Sequence, residues 1–306
     1  MRRSENDTVG PGTDVIEPGP YVFGGDGRLA SMAHEDIPVV DAWMQHPTAA
    51  FLDQEMFEPL MRWQGDDGIP EMPLEWTVQA YENSGIETAL ISAWRGPEGP
   101  MLSNEYVADI VDEHPDLFVG VGSVPLDKPR EAVEEVRRCV NELGFVGIRV
   151  VPWLWELPPD DRRYYPVYSE CVEQDVPFCL QVGHTGPLKP SETGRPIPYL
   201  DTVAREFPDL TLVGGHIGHP WTAEMMALAT KYENVFIDTS AYKPKRYPDE
   251  FVEFLQTYGS DKVLFGTNYP MIQPGACLDG LDSLDLDDEP AERFLHENAH
   301  DVFDLS

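Results

Sequence analysis

Eight short apolar runs recur along this chain, and longer amphipathic stretches separate them. The runs are mostly continuous in hydrophobicity, which is typical of strands that are buried on both faces of a parallel sheet. The interval from one run to the next usually fits the length of one strand plus one helix. Only the interval between the first and second runs is clearly longer. The predicted strand cores are Ile37–Ala42, Thr88–Ser92, Phe118–Ser123, Gly147–Val151, Pro177–Gln181, Leu210–Gly214, Val235–Asp238 and Val263–Phe265.

The intervening stretches have the periodicity of helices. Residues 128–144 place their apolar side chains along one stripe, with Pro129 near the first turn and Gly144 just past the end. These are the usual start and stop residues of a helix. Further helices are predicted over residues 222–231, 249–258 and 290–303.

Strands that alternate with helices in this way predict a TIM (β/α)8 barrel, with a doubly wound open sheet as the alternative. No Gly-x-Gly-x-x-Gly follows any of the runs, which counts against a dinucleotide-binding open sheet. Residues 1–36 lack hydrophobic periodicity and are predicted to form an N-terminal arm, while residues 37–306 form a single barrel domain. The arm and a long loop predicted over residues 94–106 are candidate contacts of a homodimer.

The net charge of −34 argues against two classes of binding partner. Binding to nucleic acid or to an anionic membrane surface needs clustered Lys and Arg, and this chain has only 21 basic residues against 55 acidic ones. Because the acids are spread along the chain, they are interpreted as a solvated shell of a halophilic protein in a high-salt cytoplasm. The absence of an apolar signal segment and of any Cys-x-x-Cys pair also favours a cytoplasmic protein with reduced thiols.

Polar and aromatic residues gather where the predicted strands end. The loops that follow the strands of a TIM barrel converge on one face, and active sites form there. Four of the eight histidines lie at such positions, which indicates a functional site rather than chance placement. The candidates are Trp43, Gln45, His46, Arg149, Trp153, His184, His216, Asp238 and Asn268.

The last third of the chain carries a family resemblance. The stretch from Gly214 to Pro270, with GGHIGHPW, NVFIDTS and DKVLFGTNYP, resembles the amidohydrolase-related branch of the amidohydrolase superfamily, which includes the aminocarboxymuconate-semialdehyde decarboxylase group. The similarity spans roughly residues 37–305. It implies a TIM barrel with one divalent metal, usually zinc. The implied ligands are a His-x-His after the first strand, a His after the fifth and an Asp after the eighth, with a catalytic His after the sixth.

This sequence matches the family pattern only in part. His184 occupies the ligand position after the fifth strand, and His216 occupies the catalytic position after the sixth. The remaining three ligand positions hold Trp43, Gln45 and Asn268. Tryptophan offers no ligand atom, and neutral amides bind zinc poorly compared with imidazole or carboxylate.

Two interpretations of the metal site remain open. A shifted turn after the first strand would bring His46 inward, where it and His184 would hold one Zn²⁺ ion. Otherwise the chain binds no metal, and its chemistry depends on side chains alone.

The first functional hypothesis is a hydrolase that acts on a small carboxylated or carbonyl substrate. His216 would be the general acid–base, because the ordinary pKa of imidazole lies near neutrality, and Asp238 would orient it. Arg149 would bind a substrate carboxylate. The other predicted substrate-binding residues are the hydrogen-bonding Asn268 and Gln45 and the pocket walls Trp43 and Trp153.

Two alternatives accompany this hypothesis. One is a non-oxidative decarboxylase, a carbon–carbon lyase of the same family. The other is a non-catalytic barrel that has lost its metal and binds a metabolite or a partner. An open cavity around convergent polar residues would favour an enzyme over the binding protein.

Overall fold

Eight parallel strands form the central sheet in the computed structural model, which describes residues 36–59, 62 and 72–305. The arm predicted for residues 1–36 therefore lies outside the described residues, apart from Asp36. All eight predicted runs form strands, and their spatial order follows the chain. They are Val39–Met44, Ile86–Ser92, Phe118–Gly122, Gly147–Val150, Phe178–Gln181, Leu212–Gly215, Val235–Asp238 and Val263–Leu264.

Backbone hydrogen bonds also join the first strand to the segment of the eighth. The Ala42 amide donates to the Phe265 carbonyl over 2.9 Å, and the Asn268 amide donates to the Trp43 carbonyl over 2.8 Å. The sheet therefore closes on itself, and the predicted TIM barrel is confirmed. The open-sheet alternative is wrong because the two edge strands pair with each other.

Asp41 strengthens this closure through its side chain. Its carboxylate is fully buried and accepts hydrogen bonds from the Thr267 amide over 2.9 Å and from the Tyr81 hydroxyl over 2.7 Å. Thr267 follows the eighth strand, and Tyr81 belongs to the helix that packs outside the seam. Asp41 therefore links the first strand, the eighth strand and one helix.

Twelve α-helices lie wholly within the described ranges, and the predicted ones are among them. Residues 129–141 begin at Pro129 and bury Ala132, Val136 and Cys139 on one face, as the apolar stripe predicts. The predicted helix over residues 290–303 is two helices joined by a π-helical turn at Arg293–Glu297. The helices are Ala49–Leu52, Leu74–Glu82, Asn104–Glu113, Pro129–Asn141, Pro152–Trp155, Tyr165–Gln174, Asp201–Glu206, Thr222–Lys231, Asp249–Gln256, Pro274–Leu278, Asp288–Glu292 and Asn298–Phe303.

The prediction of a long loop over residues 94–106 is wrong. Trp94–Gly96 and Gly99–Leu102 pair as an antiparallel hairpin. A helix then begins at Asn104, where the Ser103 hydroxyl accepts a hydrogen bond from the Tyr106 amide and caps its first turn. The hairpin follows the second barrel strand and contributes Trp94 to the C-terminal face of the barrel.

Side chains alternate between the inside of the barrel and the layer under the helices. In the second strand, Leu90 joins the interior cluster, whereas Ala89 and Ile91 join the larger cluster between the strands and helices. The last helix adds Ala299 and Phe303 to the interior cluster. This alternation decides which polar residues of each strand lie inside the barrel.

Within the described ranges, no helix combines the length and hydrophobicity that crossing a membrane would require.

Candidate active site

A cavity of about 280 Å³ opens at the C-terminal ends of the strands. Five of the nine predicted site residues line it, namely Gln45, Trp153, His184, His216 and Asn268. The other four do not reach it. Among the described residues, the lining includes no Lys, Arg, Asp or Glu, so the cavity wall is neutral apart from its histidines.

One wall of the cavity is a continuous set of aromatic rings, which we call the aromatic wall: Phe51, Phe57, Trp94 and Trp153. The ring centroids of Phe51 and Trp94 are 5.2 Å apart in an edge-on contact, and those of Trp94 and Trp153 are 6.0 Å apart. Phe51 also lies 5.0 Å from Phe57. Flat aromatic side chains in such contacts form a rigid apolar surface that suits a planar ligand.

Sequence reasoning missed Phe51, Phe57 and Tyr242 as members of the cavity. The first two lie in the long connection after the first strand, and Tyr242 lies in the connection after the seventh. A search of whole loops rather than strand ends alone would have included them.

His216 is buried, and a serine rather than an acid holds its ring. Its Nδ1 atom lies 2.7 Å from the Ser240 hydroxyl oxygen, so Nε2 is the ring nitrogen that can face a substrate. Burial, and then the charge of Arg149, lowers the pKa of His216 to about 3. The imidazole is therefore neutral near pH 7.

Among the described residues no hydrogen bond joins Asp238 to His216, which corrects the prediction that Asp238 orients the ring directly. Its Oδ1 atom accepts a hydrogen bond from the Ser240 amide over 2.6 Å, while its buried Oδ2 atom has no hydrogen-bond partner among the described residues. Burial raises the pKa of Asp238 to about 7, although its hydrogen bonds to Ser240 oppose that rise. The influence of Asp238 on His216 therefore passes through Ser240, which lies only two residues further along the chain and was not predicted.

Arg149 lies inside the barrel rather than in the cavity, so it is not placed to bind a carboxylate there. Its guanidinium carbon lies 3.6 Å from the centroid of the Trp43 ring, and its Nη2 atom donates to the Ala42 carbonyl over 2.8 Å. Both Trp43 and Arg149 are almost fully buried. The reason is alternation, because the neighbours Ile148 and Val150 face the helices and Arg149 must face the barrel axis.

The prediction that Trp43 forms a wall of the cavity is also wrong, because Trp43 does not line it. The first strand extends to Met44, so Trp43 lies within the strand instead of beyond it. Its ring packs 5.0 Å from the ring of His216. We call Trp43, Arg149 and Asp238 the interior layer, since all three are buried in the barrel and outside the cavity lining.

Two amides lie where the family pattern expects metal ligands. Gln45 Nε2 donates to the Asn268 side-chain oxygen over 3.3 Å and to the Tyr269 carbonyl. The Gln45 side-chain oxygen is buried and has no hydrogen-bond partner among the described residues. On the opposite side, the Trp153 indole nitrogen donates to the Gln181 side-chain oxygen over 2.6 Å.

The structure does not bring His46 and His184 together. His46 is buried, and its Nδ1 atom lies 2.7 Å from the Thr77 hydroxyl. His184 is exposed at the cavity mouth, where its ring contacts that of His219. Within the described ranges, no three His, Cys, Asp or Glu side chains are grouped so that they could hold a metal ion. Burial lowers the pKa of both His46 and His184.

The chain matches one family model and is similar to several enzymes. The family model described as Amidohydrolase matches residues 84–305. A γ-resorcylate decarboxylase from Rhodococcus jostii (strain RHA1) is 27% identical over an alignment of 256 positions, and the match covers 66% of this chain and 75% of that protein. A 2-keto-4-carboxy-3-hexenedioate hydratase from Sphingobium sp. (strain NBRC 103272 / SYK-6) is 29% identical over an alignment of 318 positions, and the match covers 86% of this chain and 91% of that protein.

A solved structure of the same fold contains a metal. It is a dihydroxybenzoic acid decarboxylase from Polaromonas sp. JS666 with bound manganese and the inhibitor 2-nitroresorcinol. The TM-score is 0.65 at 18% identity, and the match covers 88% of this chain and 97% of that one. This likeness shows the shared barrel, while the family match covers most of the chain. The chain therefore belongs to the amidohydrolase family.

Proposed function

We propose that this protein catalyses the non-oxidative decarboxylation of a small aromatic carboxylic acid. The observation that carries the proposal is a cavity in which the neutral imidazole of His216 faces the same space as the aromatic wall. The similarity to γ-resorcylate decarboxylases supports it. The sequence alone placed hydrolysis first, but the similar proteins support decarboxylation better.

The aromatic wall would favour the loss of CO₂. A carboxylate is solvated poorly against Phe51, Trp94 and Trp153, whereas CO₂ is neutral and loses little by lying there. Transfer of the substrate from water into this space therefore destabilises the ionised ground state more than the departing product.

His216 would deliver the proton that replaces the carboxylate. A bound carboxylate close to the imidazole favours the protonated form, so substrate and proton enter the site together. The ring carbon accepts this proton, the bond to the carboxylate carbon breaks, and its electron pair returns to the ring as CO₂ leaves. Ser240 holds the imidazole in place throughout, through its contact with Nδ1.

The amides would orient the substrate. The buried oxygen of Gln45 can accept a hydrogen bond from a phenolic hydroxyl, and Asn268 lies beside it in the cavity. Because three of the four ligand positions hold Trp43, Gln45 and Asn268, this mechanism uses protein side chains alone.

The neutral lining also selects among acids. No Lys or Arg lines the described part of the cavity, so a second or third carboxylate would be buried without a counter-charge. We therefore expect a substrate with a single carboxylate, in contrast to the tricarboxylic substrate in the name of the similar hydratase.

The test measures CO₂ release and the aromatic product from γ-resorcylate, salicylate and 4-hydroxyisophthalate. The last two differ by one carboxylate, so salicylate should react better. The His216→Asn variant tolerates the positive φ of 69° at this position and should lose activity by about 10²- to 10⁴-fold while it stays folded.

Other outcomes would contradict the proposal in distinct ways. Hydrolysis of an aromatic ester without CO₂ release from any acid would restore the hydrolase interpretation. Stoichiometric binding of these acids without turnover would indicate the non-catalytic alternative.

A further inference from the structure

The four family ligand positions of this chain hold a donor set that does not suit a divalent metal. Only His184 offers an imidazole, and no carboxylate is present at these positions. The Asn268 side-chain oxygen already accepts a hydrogen bond from Gln45. Mn²⁺ and Zn²⁺ bind through carboxylates and imidazoles, so one imidazole and two neutral amides form a weak site.

Trp43 fills the position of a ligand with a rigid ring. A Cβ atom built on Gly215 would lie 2.7 Å from the Trp43 Cζ3 atom, which shows how closely the indole packs on the sixth strand. The same ring contacts His216 and the guanidinium of Arg149. The indole is therefore held from several sides and cannot turn away to admit a metal.

Arg149 adds a fixed positive charge to this place. Among the described residues, its buried Nε and Nη1 atoms have no hydrogen-bond partner and the guanidinium forms no ion pair. Cys179 lies beside it, and the charges of Asp238 and Asp41 act on it from farther away. A buried positive charge with no carboxylate in direct contact repels a second cation over several ångströms, because little solvent screens it.

We propose that the Trp43 indole and the Arg149 guanidinium take the place of the family's metal, so that this site excludes divalent cations. Trp43 occupies the ligand position, and Arg149 supplies a covalently attached positive charge next to the cavity. The inference concerns the same cavity as the proposed decarboxylation. Metal binding is measured without substrate, however, so either proposal can fail alone.

The first experiment measures metal content. Wild-type protein, the Trp43→His/Gln45→His/Asn268→Asp variant and the Trp153→His variant are expressed with added MnCl₂ and ZnCl₂ and purified without chelator. Mass spectrometry of the metals should find less than about 0.1 equivalent in the wild type and about one equivalent in the triple variant. Trp153→His is the matched control, because it adds an imidazole to the cavity away from the ligand positions, and it should resemble the wild type.

The second experiment isolates the charge of Arg149. Titration calorimetry with MnCl₂ should show that Arg149→Met, added to the triple variant, tightens binding on the order of tenfold. Circular dichroism and melting temperature establish that each variant is folded. For a triple variant that does not fold, the melting temperature of the wild type with and without MnCl₂ tests the same proposal, and it should not change.

Three results would overturn the proposal. One is an equivalent of metal in the wild type that disappears in His184→Ala. The second is a folded triple variant that binds no metal, since the missing donors would then not explain the exclusion. The third is a melting temperature of the wild type that rises with MnCl₂ but not in His184→Ala.

Discussion

The interior layer and the cavity next to it contain different kinds of side chain. The interior layer buries a guanidinium and a carboxyl group around an indole, whereas the described cavity lining has aromatic rings, amides and two imidazoles but no Lys, Arg, Asp or Glu. Both regions lie at or near the C-terminal ends of the barrel strands. The charged groups that look catalytic in the sequence therefore act on the cavity only through their field and through the residues that they hold.

The separation follows from the geometry of a strand. Successive residues advance about 3.3 Å and point to opposite sides of the strand. A shift of one position therefore moves a side chain to the other face, and a shift of two positions moves it along the barrel axis to the next layer. Trp43 belongs to the interior layer, while Gln45, two residues later, lines the cavity. The two layers should accordingly respond differently to mutation, in stability for the interior layer and in substrate binding or turnover for the cavity.

Trp43→Ala should break the interior layer and gives the largest expected effect. Removing a fully buried indole leaves a cavity under His216 and exposes one face of Arg149, which should cost about 3–5 kcal/mol in the free energy of unfolding. Urea unfolding followed by circular dichroism measures the loss. Trp76→Ala is the control, because Trp76 is 37% exposed, and it should cost less than about 1 kcal/mol. Equal losses in both variants would contradict the role given to the interior layer.

Asp238→Asn tests how the charge of Asp238 in the interior layer makes the free energy of unfolding depend on pH. The pKa of Asp238 is raised to about 7 in the folded protein from an ordinary value of 3.8, so the fold favours the protonated carboxyl group. Its contribution to stability is complete below pH 3.8 and is lost as the pH rises through about 7. The asparagine variant should therefore gain about 2–4 kcal/mol relative to the wild type between pH 4 and pH 8. Unfolding measured at both pH values checks this, and a constant difference between the two proteins would contradict it.

The sequence predicts the barrel well because hydrophobic runs and helix periodicity are local signals. All eight strands lie where the apolar runs predict them, and the helix over Thr222–Lys231 has the predicted bounds. The hairpin over residues 94–102 was missed, because its few residues alternate too briefly to differ from a loop.

The site is less predictable because it depends on which layer a residue enters. The first strand runs two residues beyond its predicted end and changes register between Asp41 and Met44. That extension places Trp43 inside the barrel and His46 against Thr77. Ser240 was missed for a different reason, since a serine two residues after a strand has no distinctive pattern and only its contact with His216 marks it.

Gly215→Ala tests the contact between the two layers. A Cβ atom at this position would lie 2.7 Å from the Trp43 ring, so the indole must move against Arg149 or the strand must shift. We expect a cost of about 1–3 kcal/mol in the free energy of unfolding, together with a change in the environment of His216. Gly275→Ala is the matched control, because a Cβ atom there meets nothing within 4 Å, and it should be neutral or slightly stabilising. Thermal unfolding of both variants measures the difference, and an unchanged Gly215→Ala protein would show that the indole is not tightly held.

His184→Ala should give the smallest change in stability. It tests whether a residue of the cavity affects substrate binding without affecting the fold. His184 is exposed at the cavity mouth, and its removal should alter the free energy of unfolding by less than about 0.5 kcal/mol. The loss of one neutral hydrogen-bonding group should raise the KM for an aromatic acid by about two- to tenfold. His219→Ala is the matched control, since His219 contacts the His184 ring but does not line the cavity. Steady-state kinetics should show an almost unchanged KM in this control. If His219→Ala raised KM as much as His184→Ala does, the effect would come from the packing of the two rings and not from a contact with substrate.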